Sequence, residues 1–153
     1  QVKWISEIGS TKEYYSWIIT LSDNAVGLIY LENLNVNNRQ THWGFYIGSD
    51  DAIGLGDFIS SYFYNFAFGV LGLERLYANV FYSNTRVIEL YLKQGYIFQP
   101  EKDRVIYKKN VPVLLVSMLL TNDVFEKSKF AKLKNNFPIS QWSECPILSL
   151  HND

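Results

Sequence analysis

The sequence predicts a mixed α/β domain with a mostly antiparallel sheet, and three observations carry that expectation. Two runs rich in β-branched and aromatic residues, 15–21 and 25–31, flank the turn cluster Ser22-Asp23-Asn24, the pattern of a hairpin. After Gly56 the apolar residues Ile59, Phe63, Phe66 and Val70 recur at helical spacing. That helix lies between two further strand-like runs, 41–48 and 73–81, and a strand, crossover helix, strand unit is normally parallel.

Taken in order, Val2, Ile5 and Ile8 stand three apart and suit the last turns of a helix that Gly9 ends. Ser10-Thr11-Lys12-Glu13 matches a capping box, which would start another helix. The β-branched and aromatic run that follows favours a strand, so the hairpin is preferred. A polar stretch, 32–40, leads to the third strand at 41–48 and to the acidic loop Asp50-Asp51-Ala52-Ile53-Gly54-Leu55-Gly56-Asp57. A second helix starts at Asn84, a good N-cap residue, buries Val87, Ile88 and Leu92, and stops at Gly95 with Lys93 in its last turn. Short strands follow at 96–99 and 105–108 around the turn 100–103, and another at 113–120. Residues 122–134 read as a helix with Val124, Phe125, Phe130 and Leu133 inward, and the tail from Asn135 has no period. With neither an internal repeat nor a long linker, residues 1–153 are expected to form one domain, with a core at about 14–120 and a C-terminal helix and tail at 122–153.

Composition narrows the function. At 153 residues, 16% of them aromatic, the chain is long enough and apolar enough to bury a substantial core. Its formal net charge is -1 and it has no basic run of the kind that tracks a phosphate backbone, so nucleic acid is a poor candidate partner. A small molecule or a peptide suits it better. The one cysteine, Cys145, and the two histidines, His42 and His151, are too few for a zinc site or a disulfide framework, which favours a reducing, cytoplasmic setting. The longest apolar run, 111–120, is about half the ~20 residues that span a bilayer, so it reads as strand and no membrane contact is expected.

The glycines Gly54 and Gly56 sit where a helix begins, and the unpaired backbone N–H groups of such an end suit a phosphate. Downstream stand Asn84, Tyr91 seven residues later, and Gly95-Tyr96. This order of glycine loop, apolar helix, strand, Asn-(six residues)-Tyr and Gly-Tyr resembles the core of the GNAT superfamily of acetyl-coenzyme A dependent N-acetyltransferases, over roughly 14–120. Within it, the run 25–33, the strand Trp43-Gly44-Phe45-Tyr46-Ile47 and the turn Leu71-Gly72-Leu73-Glu74-Arg75-Leu76 look most like the nucleotide-sugar N-acetyltransferases of pseudaminic acid synthesis. Ribosomal-protein N-terminal acetyltransferases are related in pattern. The resemblance implies a sheet with helices on both faces, and a strand and one or two helices ahead of Gln1. It implies acetyl-CoA as co-substrate and an acceptor amine, that of an amino-sugar nucleotide or, alternatively, of a peptide or ribosomal-protein N-terminus. A non-catalytic acyl-CoA binding module is a further alternative. A monomer or a homodimer would fit.

Roles follow from the resemblance, residue by residue. Backbone groups of Ile53, Gly54, Leu55, Gly56 and Asp57 would hold the pyrophosphate, with Arg86 nearby, and Asn84 would bond the pantetheine arm. Phe45, Tyr46 and Ile47 would supply the oxyanion N–H, and Tyr91 would approach the thioester sulfur. Asn84 and Tyr91 share a helix face about 10 Å apart. A phenol pKa near 10 against a thiol near 8.5 makes full proton transfer uphill by about 2 kcal/mol, so a strong hydrogen bond to the nascent thiolate suffices. Glu32 or His42 would take the amine proton, directly or through water. The bland alternatives are an N-cap asparagine, a core tyrosine, a solvated glutamate and a surface histidine. One departure stands out: the family usually places Gln or Arg where Asp51 stands, and Asp50 and Asp57 flank it. Carboxylates help a bare helix start but oppose a pyrophosphate, so either they point away, with Arg86 or Lys93 offsetting them, or binding is weak.

Overall fold

In the computed structural model, which describes residues 2–4 and 14–131, eight strands form one sheet in the order β1-β2-β3-β4-β5-β8-β6, with β7 paired to β8. Strands β1 (Val2–Trp4), β2 (Tyr15–Leu21), β3 (Asn24–Asn35) and β4 (Gln40–Ile47) pair antiparallel in sequence order. The β2–β3 hairpin turns at Ser22 and Asp23, whose φ angles of 49° and 65° are those of a two-residue turn matched to strand twist. Helix α1 (Gly56–Tyr64) continues into a π-helical turn at Asn65–Val70 and crosses to β5 (Arg75–Phe81), which pairs parallel with β4. Then come α2 (Thr85–Gln94), β6 (Ile97–Phe98), β7 (Arg104–Lys108), β8 (Val111–Thr121) and the short α3 (Asn122–Glu126). Lys109 and Asn110 make a second tight turn, with φ of 48° and 64°, between β7 and β8.

Several expectations are corrected. Val2–Trp4 is a strand on the edge of β2, because pairing along a neighbouring strand overrides a three-residue period. The glycine terminator and the capping box at 9–13 lie outside the described residues. Leu92 is 44% exposed, and α2 buries Tyr91 and Gln94 instead, with Val87 and Ile88 partly buried. The third helix is only one turn and a half long; Phe125 and Phe130 are buried as expected, but Val124 is 41% exposed. Leu133, Cys145, His151 and the tail fall outside the described residues.

Trp43, 2% exposed, organises the core. Alternation along β4 turns Thr41, Trp43, Phe45 and Ile47 to one face and His42, Gly44 and Tyr46 to the other. Trp43 stacks on Phe63 at 4.5 Å, meets Tyr64 edge-on at 5.3 Å and lies 6.0 Å from Tyr91, so α1 and α2 cover the same face. Phe125 stacks on Phe68 at 5.1 Å, which adds α3 to that layer. A helical layer on the other face, implied by the resemblance, is not among the described residues.

Gly95 ends α2 with φ 102°, and a Cβ there would stand 2.7 Å from Val124 Cγ1. Gly95→Ala is therefore expected to destabilise the fold by about 1–2 kcal/mol or more, and Val124→Ala in the same chain should return only the steric part. An unchanged urea midpoint in Gly95→Ala would show that neither constraint operates.

Candidate active site

Strands β4 and β5 part company. They pair only at Gln40 to His42 with Arg75 to Tyr77, although β4 runs on to Ile47 and β5 to Phe81. On its other edge β4 stays paired to β3, and Gly48 N–H donates to Val26 O at 2.9 Å. In an antiparallel ladder alternate residues bond to alternate sides, so Phe45 and Ile47 turn their N–H groups into the gap.

On the helix side the gap opens into a cavity of about 630 Å³. Phe45, Tyr46 and Ile47 form its floor, and Ile53, Gly54, Gly56 and Asp57 form the loop at one end. The remaining wall is α2 and its cap: Asn84, Arg86, Val87, Glu89, Leu90 and Lys93. Gly54 takes φ 94°, which lets the chain turn sharply into α1. A Cβ on Gly56 would stand 3.2 Å from Leu90 Cδ2, so glycine lets the two helices approach here. No side-chain hydrogen bond caps α1 at Leu55. The Asn84 side chain caps α2, accepting from Val87 N–H at 3.4 Å.

Of the three aspartates of the acidic loop, Asp57 alone reaches the wall with a described side chain, and it is paired. Lys93 Nζ donates to one carboxylate oxygen, and Gln94 Nε2 donates to the other at 3.1 Å. Burial pushes the Asp57 pKa up, but the bonds from Lys93 and Gln94 and the lysine charge outweigh it, holding the group below its ordinary value. Asp50 is exposed in the turn Asp50–Ala52, off the cavity wall, and the Asp51 side chain lies outside the described ones.

The structure thus gathers Phe45, Tyr46, Ile47, Ile53, Gly54, Gly56, Asp57, Asn84 and Arg86 around one cavity, while the Leu55 side chain packs against the core. Tyr91 is not on the wall. It is 3% exposed, its ring 4.6 Å from that of Tyr96, and burial first, then Tyr96 and Tyr30, raise its phenol pKa well above the usual range. Glu32 and His42 are register partners across β3 and β4 on the face away from the helices. His42 stacks on Tyr77 at 5.2 Å, and its Nδ1 is buried without a partner among the described residues. Burial lowers the His42 pKa; Glu32 opposes this, and Lys102 and Arg104 add to it. Tyr91 and the Glu32–His42 pair therefore lie on opposite faces of the sheet.

Glu89, Leu90 and Gln94 escaped sequence reasoning, which takes Val87 only as a core residue. The spacing Arg86, Glu89-Leu90, Lys93 is a helical stripe that could have revealed the wall. Gln94 carried a fainter signal, a polar residue on the side of α2 that the core needs. Among the described residues there is no cluster of three metal-ligating side chains, and no helix is long and apolar enough to cross a membrane.

Comparison with known proteins bears on the fold. The fold is similar to spermidine N-acetyltransferase SpeG from Vibrio cholerae. A chimera of that protein with hSSAT gives a TM-score of 0.68 at 16% identity, covering 76% of this chain and 73% of that one. A dodecameric structure of the Vibrio cholerae protein gives 0.67 at 16% identity, covering 76% and 69%. A structure described as a probable acetyltransferase gives 0.63 at 19% identity, covering 73% and 64%. Identities this low establish a shared fold and nothing finer. No curated protein matches the chain. Residues 1–113 match the family model described as acetyltransferase (GNAT) domain, and with most of the chain inside that match the protein belongs to the GNAT acetyltransferase family, whose enzymes use acetyl-CoA.

Proposed function

We propose that the protein transfers the acetyl group of acetyl-CoA to the primary amine of a small acceptor of the amino-sugar nucleotide class. The observation that carries the donor half is the parting of β4 and β5 above a cavity that ends at an uncapped helix. Its volume suits a cofactor-sized ligand. An apolar floor for the pantetheine arm, the helix start of α1 with no side-chain cap and the Arg86 guanidinium suit the successive parts of coenzyme A. The amino-sugar nucleotide rests on the likeness of the runs 25–33 and 43–47 to the enzymes of pseudaminic acid synthesis.

In this reading the thioester lies in the gap. A neutral amine arriving from the open face attacks its carbonyl, and the Phe45 or Ile47 N–H stabilises the oxyanion. Tyr91 approaches the gap from the helix side, where its ring lies 6.0 Å from that of Trp43, and Tyr30, across Gly44 on the other face, helps to raise its phenol pKa. A phenol with so high a pKa stays protonated and hydrogen-bonds the departing thiolate rather than surrendering its proton. His42, kept neutral by burial, is the better placed base, with Glu32 beside it.

Three measurements test this. Titration calorimetry with coenzyme A should show binding that weakens about tenfold in Arg86→Gln, the size of one charge-assisted contact; no heat at millimolar coenzyme A would count decisively against the donor half. Tyr91→Phe should keep melting temperature and acetyl-CoA affinity while turnover drops roughly ten- to a thousandfold. Normal turnover removes Tyr91 from the mechanism, and a lost fold makes it a core aromatic only. Finally, a base works deprotonated, so the acid limb of kcat/KM should lie below the ordinary histidine value of about 6.5. Glu32→Gln removes the charge that favours imidazolium, and should move the limb to still lower pH. A limb that stays put excludes His42 as the titrating base.

A further inference from the structure

The face of the sheet away from the helices carries a line of cations that the reaction above does not use. Tyr77 and Phe81 both point to that face, four residues and about 13 Å apart along β5. Lys102 Nζ sits 4.3 Å from the centre of the Tyr77 ring, and Lys108 Nζ sits 4.2 Å from the centre of the Phe81 ring. Arg104 is aligned on β7 with Leu115, which pairs in turn with Phe81, so it faces the same way. Ring contact holds each ammonium over the sheet instead of letting it range through solvent.

None of these three cations has a carboxylate within ion-pair distance among the described residues; the ion pairs there involve Arg39, Arg75, Lys93 and Lys127. Of the two acids that flank Lys102 in sequence, Glu101 makes no ion pair with these cations, and Asp103 Oδ1 accepts the Ser117 N–H at 2.7 Å. The line begins beside His42, which Lys102 and Arg104 both influence, and runs along β5 where β5 borders the gap.

We propose that Lys102, Arg104 and Lys108 form the subsite for the phosphate groups of a phosphorylated acceptor, with the acceptor's amine directed to the Glu32–His42 end of the line. The inference rests on the acetyl-transfer reading and gives its acceptor a chemical class. Three cations that make no ion pair among the described residues, two of them held over aromatic rings, attract a diphosphate and repel a polycation such as spermidine.

The test is equilibrium binding of UDP and of inorganic pyrophosphate to the intact chain. It is run on wild type, on Lys102→Gln/Lys108→Gln, on the single variant Lys108→Gln and on Arg86→Gln, with melting curves for each. UDP should bind wild type, weaken at least tenfold in the double variant and several-fold in the single one, and keep its affinity in Arg86→Gln. Pyrophosphate should follow the same order, since charge is what is read, and added spermidine should not compete. Equal UDP affinity in wild type and the double variant, or no binding to wild type at millimolar UDP, overturns the proposal. So does a loss in Arg86→Gln as large as in the double variant, which places the anion at the α1 loop. Coenzyme A titrated in parallel keeps the two readings apart: UDP behaving as stated while coenzyme A fails to bind would sink acetyl transfer and leave the anion subsite standing.

Discussion

The site depends on one chain of buried hydrogen bonds that fixes the glycine loop relative to the sheet. Trp43 Nε1–H donates to the Tyr96 hydroxyl at 2.6 Å, the hydroxyls of Tyr96 and Tyr64 are bonded to each other, and Tyr64 donates to Gln94 Oε1. The Gln94 amide then donates to Asp57 in the first turn of α1. The series runs from a strand that borders the gap to the helix start that borders the cavity, and it is buried up to its last link, the half-exposed Asp57. Inside a protein such bonds are strong when complete and costly when broken, so the chain sets position more than it adds stability. Gly95, just after Gln94, ends α2 where Tyr96 must turn back under Trp43.

The same strand that anchors this chain also divides the reaction space. Trp43 and Phe45 face the helices and the cavity, whereas His42 and Gly44 face the open side. A Cβ on Gly44 would stand 2.3 Å from the Tyr30 hydroxyl, so glycine at that place is what lets the Tyr30 ring lie flat over β4. Donor and acceptor can then arrive from opposite faces and meet only where β4 and β5 separate. In the proposed reaction the parting is therefore part of the mechanism as well as of the topology. A sheet paired along its whole length would offer neither the N–H groups of Phe45 and Ile47 nor a passage between the faces.

Much of this was legible in the sequence because it is local. The hairpin at Ser22-Asp23, the N-cap at Asn84 and the terminator at Gly95 are each written in a few adjacent residues. So were the cavity's glycines and its floor, through a resemblance that rests on their order along the chain. What stayed hidden depends on orientation. An apolar Leu92 looks like a core residue, but the turn of α2 gives that place to Tyr91 and Gln94 and leaves Leu92 to solvent. Val2–Trp4 has too few residues to declare itself a strand until β2 is there to receive it. Lys102, Arg104 and Lys108 form no basic run in sequence, and only strand alternation and the aromatic rings beneath set them in line.

The acidic loop shows the limit of counting charges along a chain. Three aspartates around two glycines argue against a pyrophosphate when each is taken as a free charge. Asp57 is not free. Its folded pKa is depressed, so the carboxylate is formed, and its contribution to the clamp is complete, at any pH above the ordinary aspartate value of about 3.9; it is lost only as pH falls through the lower folded value. Across the neutral range Asp57 and Lys93 therefore present a closed ion pair to the cavity rather than a negative charge. With that pair cancelled, the helix start keeps the positive end of its dipole. Arg86 and Glu89 stand three residues apart on the same wall, one charge of each sign. A carboxylate that looks misplaced in sequence is, in the folded chain, the group that holds the two helices of the site together.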